Sequence, residues 1–144
     1  MNKRKITSAA LVAVGISLGI AFLSDVVFPQ GIEPYFSREY YGQFGPLAIC
    51  VELLIAGYYL FVGSKKTNFA LALFGFTAIL DPVFDKIGLF DSSVPLYGTI
   101  ILIICAIISL WLAFKNVFGL KRISFLAALA SFVLGCVVEF FFNY

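Results

Sequence analysis

Three carboxyl side chains lie within long apolar stretches and are the residues best suited to chemistry. Glu52 is near the centre of the apolar segment 44–62, while Asp81 and Asp85 are four residues apart on either side of Pro82. If these segments cross a lipid bilayer, an ionisable group costs roughly 2.5 kcal/mol or more and usually faces a bundle interior, forms a pair or lines a pathway. We interpret Glu52 either as a proton- or cation-binding carboxylate or as a protonated group that bridges two helices.

Asp81 and Asp85 share a helix face only if the helix continues through Pro82. Proline removes the amide partner of the carbonyl at position 78, and interrupted helices recur at the ion sites of transporters. An ion or proton site is therefore one interpretation. The simpler interpretation, which we favour, is that Asp81-Pro82 marks the outer end of a short helix and that Asp85 and Lys86 are solvated.

Composition indicates which elements must position these carboxyl groups. The 144 residues are 62% apolar and 12% charged, whereas soluble domains carry about 25% charged residues. Because a spanning helix needs about 20 apolar residues, the sequence predicts an all-α integral membrane protein that forms one domain over residues 1–144. Its predicted transmembrane helices are 6–28, 44–62, 68–90, 94–114 and 123–142, with an interfacial outer loop at 29–43.

Basic residues predict the orientation of this bundle. Eight of the ten Lys and Arg lie in the patches 3–5, 65–66 and 115–122, which contain no Asp or Glu. The positive-inside rule places these patches in the cytoplasm, with the amino terminus inside and the carboxyl terminus outside. The alternative has four helices and a re-entrant third segment, because the clean apolar run 69–80 is only about 18 Å long. That alternative would move the last patch outside, so five helices are favoured.

Acidic residues have the opposite distribution. With five crossings, every Asp and Glu lies at mid-membrane or on the outer side. Asp25 and Glu139 fall about one turn from the outer ends of the first and last helices, so we interpret them as anchors at the membrane interface. Glu52 alone is difficult to explain in that way.

Small residues at regular spacing predict close helix packing. Gly15 and Gly19 form a GxxxG pair in the first helix, and Ala127, Ser131 and Gly135 recur at every fourth position in the last. Such residues let helix backbones approach closely within a membrane. The pattern fits packing inside one bundle or, alternatively, a face for a homo-oligomer or a partner.

Known catalytic signatures are missing from the sequence. The chain has no His, and its three Cys lie in different predicted helices without a CxxC pair. The GxSxG match at 15–19 falls inside a predicted spanning helix, whereas that motif requires a strand-to-helix turn and a base. We therefore predict a protein that is not an enzyme and that has no cofactor, no metal site and no nucleic-acid partner.

The order of segments includes two elements that resemble motifs. They are Gly42-Gln43-Phe44-Gly45-Pro46 at the end of the outer loop and Ile87-Gly88-Leu89-Phe90 after the third apolar run. With the basic start and first helix, this layout is similar to the small membrane subunit of tripartite tricarboxylate transporters. In that family a large subunit carries the substrate pathway and a periplasmic protein delivers the substrate. The chain lacks the Phe-Pro after the Gly-Pro and the Pro-rich tail that this family would lead us to expect.

Two functional hypotheses remain open at this level. The favoured one is a small polytopic subunit or accessory protein that packs against a larger membrane partner, for example in a transport complex. The alternative is a self-sufficient, homo-oligomeric ion- or proton-coupled transporter or channel that uses the midplane carboxylate Glu52. An intramembrane lipid-modifying enzyme is a distant third. The expected location is a bacterial inner membrane, so the lipid bilayer itself is a partner.

Overall fold

A computed structural model describes residues 2–144 and contains α-helices, one 3₁₀ helix and no strand in that range. Five helices are long and apolar enough to cross a membrane. The prediction of an all-helical protein with five helices of this kind is therefore confirmed. The helices are α1 (Lys3–Ser24), the short α2 (Arg38–Gly42), α3 (Gly45–Val62), α4 (Thr67–Lys86), α5 (Leu96–Lys115) and α6 (Phe125–Asn143), and the 3₁₀ helix covers Glu33–Phe36.

Local sequence explains where several helices begin and end. The side chains of Asn2 and Ser124 accept hydrogen bonds from backbone amides in the first turns of α1 and α6, at 3.2 and 3.1 Å. Such caps satisfy amides that have no partner within the helix. Gly63 follows the last residue of α3 and Asn116 follows the last residue of α5, and both are in the left-handed conformation that commonly terminates helices.

α4 is the central helix of the bundle. It packs against α3, α5 and α6, while α1 packs on another face of α3. Of the five long apolar helices, α4 has the largest buried share and α6 the smallest. The segment with the weakest apolar character is therefore surrounded mainly by protein instead of lipid, which explains why it contains more polar residues than its neighbours.

The continuity of α4 bears on two questions left by the sequence. It is a single helix of 20 residues, about 30 Å long, so it is long enough to cross a membrane, as the favoured five-helix prediction requires; whether it crosses or is re-entrant stays a prediction. Our preferred interpretation of Asp81-Pro82 as the end of a short helix is wrong, because α4 continues to Lys86. Pro82 interrupts one backbone hydrogen bond without ending the helix.

The small residues of α1 lie at a close contact with α3. A Cβ atom added at Gly15 would lie 2.9 Å from a methyl carbon of Leu54, and one at Gly19 would lie 3.9 Å from the Cβ of Cys50. Seven residues before Gly15 in α1, the Ser8 hydroxyl donates to the backbone carbonyl of Gly57 at 2.6 Å. Close backbone approach is the arrangement that small residues permit in membranes.

In α6 the small residues lie toward α4. Ser131 is fully buried, and a Cβ atom added at Gly135 would lie 3.3 Å from the backbone nitrogen of Thr77. Ala127 is half-buried near the start of the helix. These positions form one stripe along α6 that contacts α4.

Charged residues separate to the two ends of the bundle. Short connections place eight basic residues at one end, here called the basic end: Lys3, Arg4, Lys5, Lys65, Lys66, Lys115, Lys121 and Arg122. The other end, here called the acidic end, carries Asp25, Glu33, Glu39, Asp85 and Asp91, together with Arg38 and Lys86. Within the described residues, no Asp or Glu lies at the basic end. The side of the membrane that each end faces remains a prediction.

Candidate functional site

Two carboxyl groups that are distant in sequence meet inside the bundle. Asp81 of α4 is 3% exposed and Glu139 of α6 is 2% exposed. Their side chains lie within hydrogen-bonding reach of each other. Because an ionised carboxylate can only accept hydrogen bonds, two carboxyl groups can bond to each other only when one carries a proton. The pair is therefore a place where one proton can be shared.

Our interpretation of Glu139 as an interface anchor is wrong, because the side chain faces α4 and is buried. It continues the α6 stripe of Ala127, Ser131 and Gly135 at the same four-residue interval. That regular interval was the signal in the sequence that could have placed Glu139 on the same face of α6. Asn143 extends the interval by one more step, and its amide donates to the Glu139 carboxyl at 3.0 Å.

Ser92 connects the two aspartates of α4. Its hydroxyl donates to the Asp81 carboxyl at 2.6 Å, and its backbone amide donates to the Asp85 carboxyl at 2.8 Å. The same hydroxyl accepts from the backbone amide of Val94 at 3.1 Å. The aspartates thus hold the loop between α4 and α5, and Asp85 remains exposed to the surroundings.

Glu52 of α3 lies deeper than this pair and has fewer partners. It faces Thr77 of α4, but the Thr77 hydroxyl donates to the backbone carbonyl of Leu73 at 2.9 Å. A hydroxyl has a single proton to donate, so it cannot serve both acceptors at once. The Oε2 atom of Glu52 is buried without a hydrogen-bond partner, and Glu139 is near enough for the two charges to repel.

Together, these four acids form a row from the acidic end toward the middle of the bundle. We call Asp85, Asp81, Glu139 and Glu52 the carboxyl row. At 1.5 Å per residue, Glu139 lies about 6 Å from the end of α6, Asp81 about 8 Å from the end of α4, and Glu52 about 10 Å from the start of α3. A groove of about 380 Å³ opens beside Asp81 and Asp85. This groove connects the row with the surroundings at the acidic end.

Among the described residues, the row lacks the geometry of a metal cage, and the basic residue that lines the groove beside Asp81 and Asp85 is Lys86. In the described part of the chain, no group of three or more His, Cys, Asp or Glu is placed to hold a metal ion. α3 and α6 contain no Lys or Arg, and α4 has only Lys86, at its last position.

Comparisons with known proteins do not assign a family. No family model, no curated protein and no solved structure matches the chain. The resemblance in layout to the tripartite tricarboxylate transporter subunit therefore stays a prediction from sequence. What the chain does must be inferred from its own carboxyl row.

Proposed function

We propose that this integral membrane protein binds and transfers protons along the carboxyl row, as the core of a proton-coupled transporter or channel. The observation that carries this proposal is the carboxyl pair of Asp81 and Glu139, with Glu52 of a third helix near enough to repel the charge of Glu139. Chains of Asp and Glu inside membrane proteins commonly act as proton relays. The proposal corresponds to the alternative that the sequence offered, with Glu139 added to the site.

The order of the groups suggests a route. A proton enters from the groove at the acidic end and reaches Asp81 beside Asp85. It is then shared between Asp81 and Glu139, and it moves on to Glu52, whose Oε2 has no competing hydrogen bond. These groups describe a route from the acidic end to Glu52 in the middle of the bundle.

A purely structural role explains Asp81 better than it explains Glu52. Buried polar groups that only stabilise a fold almost always have hydrogen-bond partners. Asp81 has Ser92 and Glu139 has Asn143, whereas Oε2 of Glu52 has none. A buried oxygen without a partner is costly, and proton binding gives a reason for its presence.

Proton flux in liposomes tests this function. The purified protein is reconstituted, a potassium diffusion potential is imposed, and an enclosed pH-sensitive dye reports proton entry. We expect the wild type to conduct protons and Glu52→Gln to lose this flux. Asp25→Asn is the matched control, because Asp25 is exposed at the acidic end and outside the row. Flux no greater than in empty liposomes, or equal flux in wild type and Glu52→Gln, would contradict the proposal.

A groove on the membrane face favours a second candidate, the small subunit or accessory protein preferred from sequence. The groove, of about 580 Å³, runs between α1 and α3, and Ala9 and Ala13 form part of its lining. Small side chains allow another helix to approach closely. We propose a transmembrane helix of a larger partner protein as the occupant.

Site-specific cross-linking tests whether a partner helix occupies this groove. A photoreactive residue at Ala13 should yield one adduct of defined mass in native membranes, whereas the same residue at Ile108, exposed on α5, should yield none. An adduct of twice the chain mass would instead indicate a homo-oligomer. Equal, diffuse labelling of lipid at both positions would rule out a protein at this groove.

We also propose an orientation and a location. The basic end faces the cytoplasm, and the carboxyl row opens to the outside of a bacterial inner membrane. The support is the gathering of eight Lys and Arg at one end of the bundle, which is the distribution that determines topology in inner-membrane proteins.

A further inference from the structure

A pocket at the basic end combines four cationic side chains. It has a volume of about 340 Å³ and is lined by Lys65 and Lys66, which precede α4, and by Lys121 and Arg122, which precede α6. None of its described lining residues is acidic. The pocket lies at the opposite end of the bundle from the carboxyl row, so its role is independent of the function proposed above.

A buried amide holds the two basic segments together. Asn68 is 5% exposed, and its side-chain nitrogen donates to Asn116 at 2.8 Å and to the backbone carbonyl of Lys121 at 2.6 Å. These bonds fix the α5–α6 connection against the first turn of α4. Like charges repel, so four cations on segments that are held next to each other are suited to a multiply charged anion.

The backbone adds to the positive potential of this pocket. α4 and α6, of 20 and 19 residues, both begin here, and helix amino termini carry partial positive charge. Ser124, at the start of α6, also lines the pocket. The helix termini therefore reinforce the attraction that the Lys and Arg side chains exert on an anion.

We propose that this pocket binds the phosphate groups of an anionic phospholipid. Basic pockets between transmembrane helices are known binding places for such headgroups. A lipid fits better than a free anion because apolar surface adjoins the pocket: Phe69 lines it, and Phe125 and Leu126 of the first turn of α6 are 85% and 74% exposed. The headgroup would occupy the pocket while the acyl chains lie along α6.

The competing explanation is that these residues serve only to orient the protein. Basic residues at this end are expected from the positive-inside rule whether or not they bind anything. Lys3 and Lys5 provide the matched control, since they are exposed at the same end but do not line the pocket. A double substitution there removes the same charge.

Native mass spectrometry of the detergent-solubilised protein tests the proposal. The probes are diphosphatidylglycerol, with phosphatidylcholine and inorganic phosphate as separate arms, and the variants are Lys65→Gln with Arg122→Gln and Lys3→Gln with Lys5→Gln. We expect diphosphatidylglycerol to bind the wild type and the Lys3, Lys5 variant similarly. The pocket variant should bind it roughly thirtyfold more weakly, from about one kcal/mol for each basic residue.

Three results would overturn the proposal. They are equal weakening in both variants, equal binding of phosphatidylcholine, and binding of inorganic phosphate as strong as that of the lipid. Thermal unfolding is measured to test whether the pocket variant is folded. If it is not, Lys66→Gln with Lys121→Gln replaces it, because these side chains are also exposed and line the same pocket.

Discussion

At the scale of single residues, the buried Asp81 and Glu139 and the half-buried Glu52 differ in how firmly hydrogen bonds hold them. Asp81 accepts from Ser92 and Glu139 accepts from Asn143, whereas Oε2 of Glu52 accepts from no group. Gaining or losing a proton at Oε2 of Glu52 therefore breaks no hydrogen bond in the described residues. This difference makes Glu52 the member of the row that is easiest to change without loss of structure.

Replacing Glu52 by leucine should therefore leave the fold intact. Removing a buried oxygen without a partner eliminates a desolvation cost, so we expect Glu52→Leu to be unchanged in stability or more stable by about 1 kcal/mol. Thermal unfolding in detergent measures this. A clear loss of stability would reveal a structural partner for Glu52 and weaken the functional interpretation.

Replacing Ser92 by alanine should have the opposite effect. The substitution removes the hydroxyl that donates to Asp81 and accepts from Val94. Buried groups that lose a partner typically destabilise a protein by about 1–3 kcal/mol. Ser24→Ala is the control, because that hydroxyl is exposed and bonds only within its own helix, and it should change stability by no more than about 0.5 kcal/mol. Equal stability of the two variants would show that Ser92 does not hold the loop.

At the scale of helices, hydropathy and charge predicted the five long segments but not which faces meet. We placed Glu139 at the interface because of its distance from the helix end, yet its side chain lies on the face that packs against α4. The distance of a residue from the helix end determines its depth in the bundle. Which neighbouring helix its side chain faces depends on how the helices pack, which a single sequence does not reveal. The four-residue stripe of α6 was the available signal, and we ended it at Gly135, one step before Glu139.

The contact between α6 and α4 should depend on Gly135. A larger side chain there would press against the backbone of Thr77, whose nitrogen lies 3.3 Å from an added Cβ atom. Overpacking of this kind costs about 1–3 kcal/mol, so Gly135→Leu should destabilise the protein. Ala130→Leu is the matched control on an exposed face of the same helix. The contact would be refuted if both variants unfolded at the same temperature.

At the scale of the whole molecule, the bundle is electrically polar along its length. The basic residues, including the four that line the pocket between α4 and α6, occupy one end, and the groove to the carboxyl row opens at the other. Sequence alone indicated this separation, because short loops between spanning helices leave little freedom in placing charges. The row could not be derived in full, since it requires α3, α4 and α6 to pack around Glu52, Asp81 and Glu139.

Orientation can be measured by labelling single cysteines in whole cells. In a variant with Cys50, Cys105 and Cys136 replaced by alanine, Gln30→Cys reports the acidic end and Val117→Cys the basic end, since both positions are exposed. A membrane-impermeant maleimide should label residue 30 directly and residue 117 only after permeabilisation. The reverse pattern would show that the basic end faces outward.

The central claim is that the carboxyl row takes up a proton, and infrared difference spectroscopy of the reconstituted protein across a pH titration tests it most directly. A buried carboxylic acid with few hydrogen bonds absorbs at a higher frequency than a solvated one, so its band can be separated from those of surface acids. We predict such a band in the wild type and in Asp25→Asn, and its loss in Glu52→Gln. Superimposable spectra for wild type and Glu52→Gln would contradict the claim.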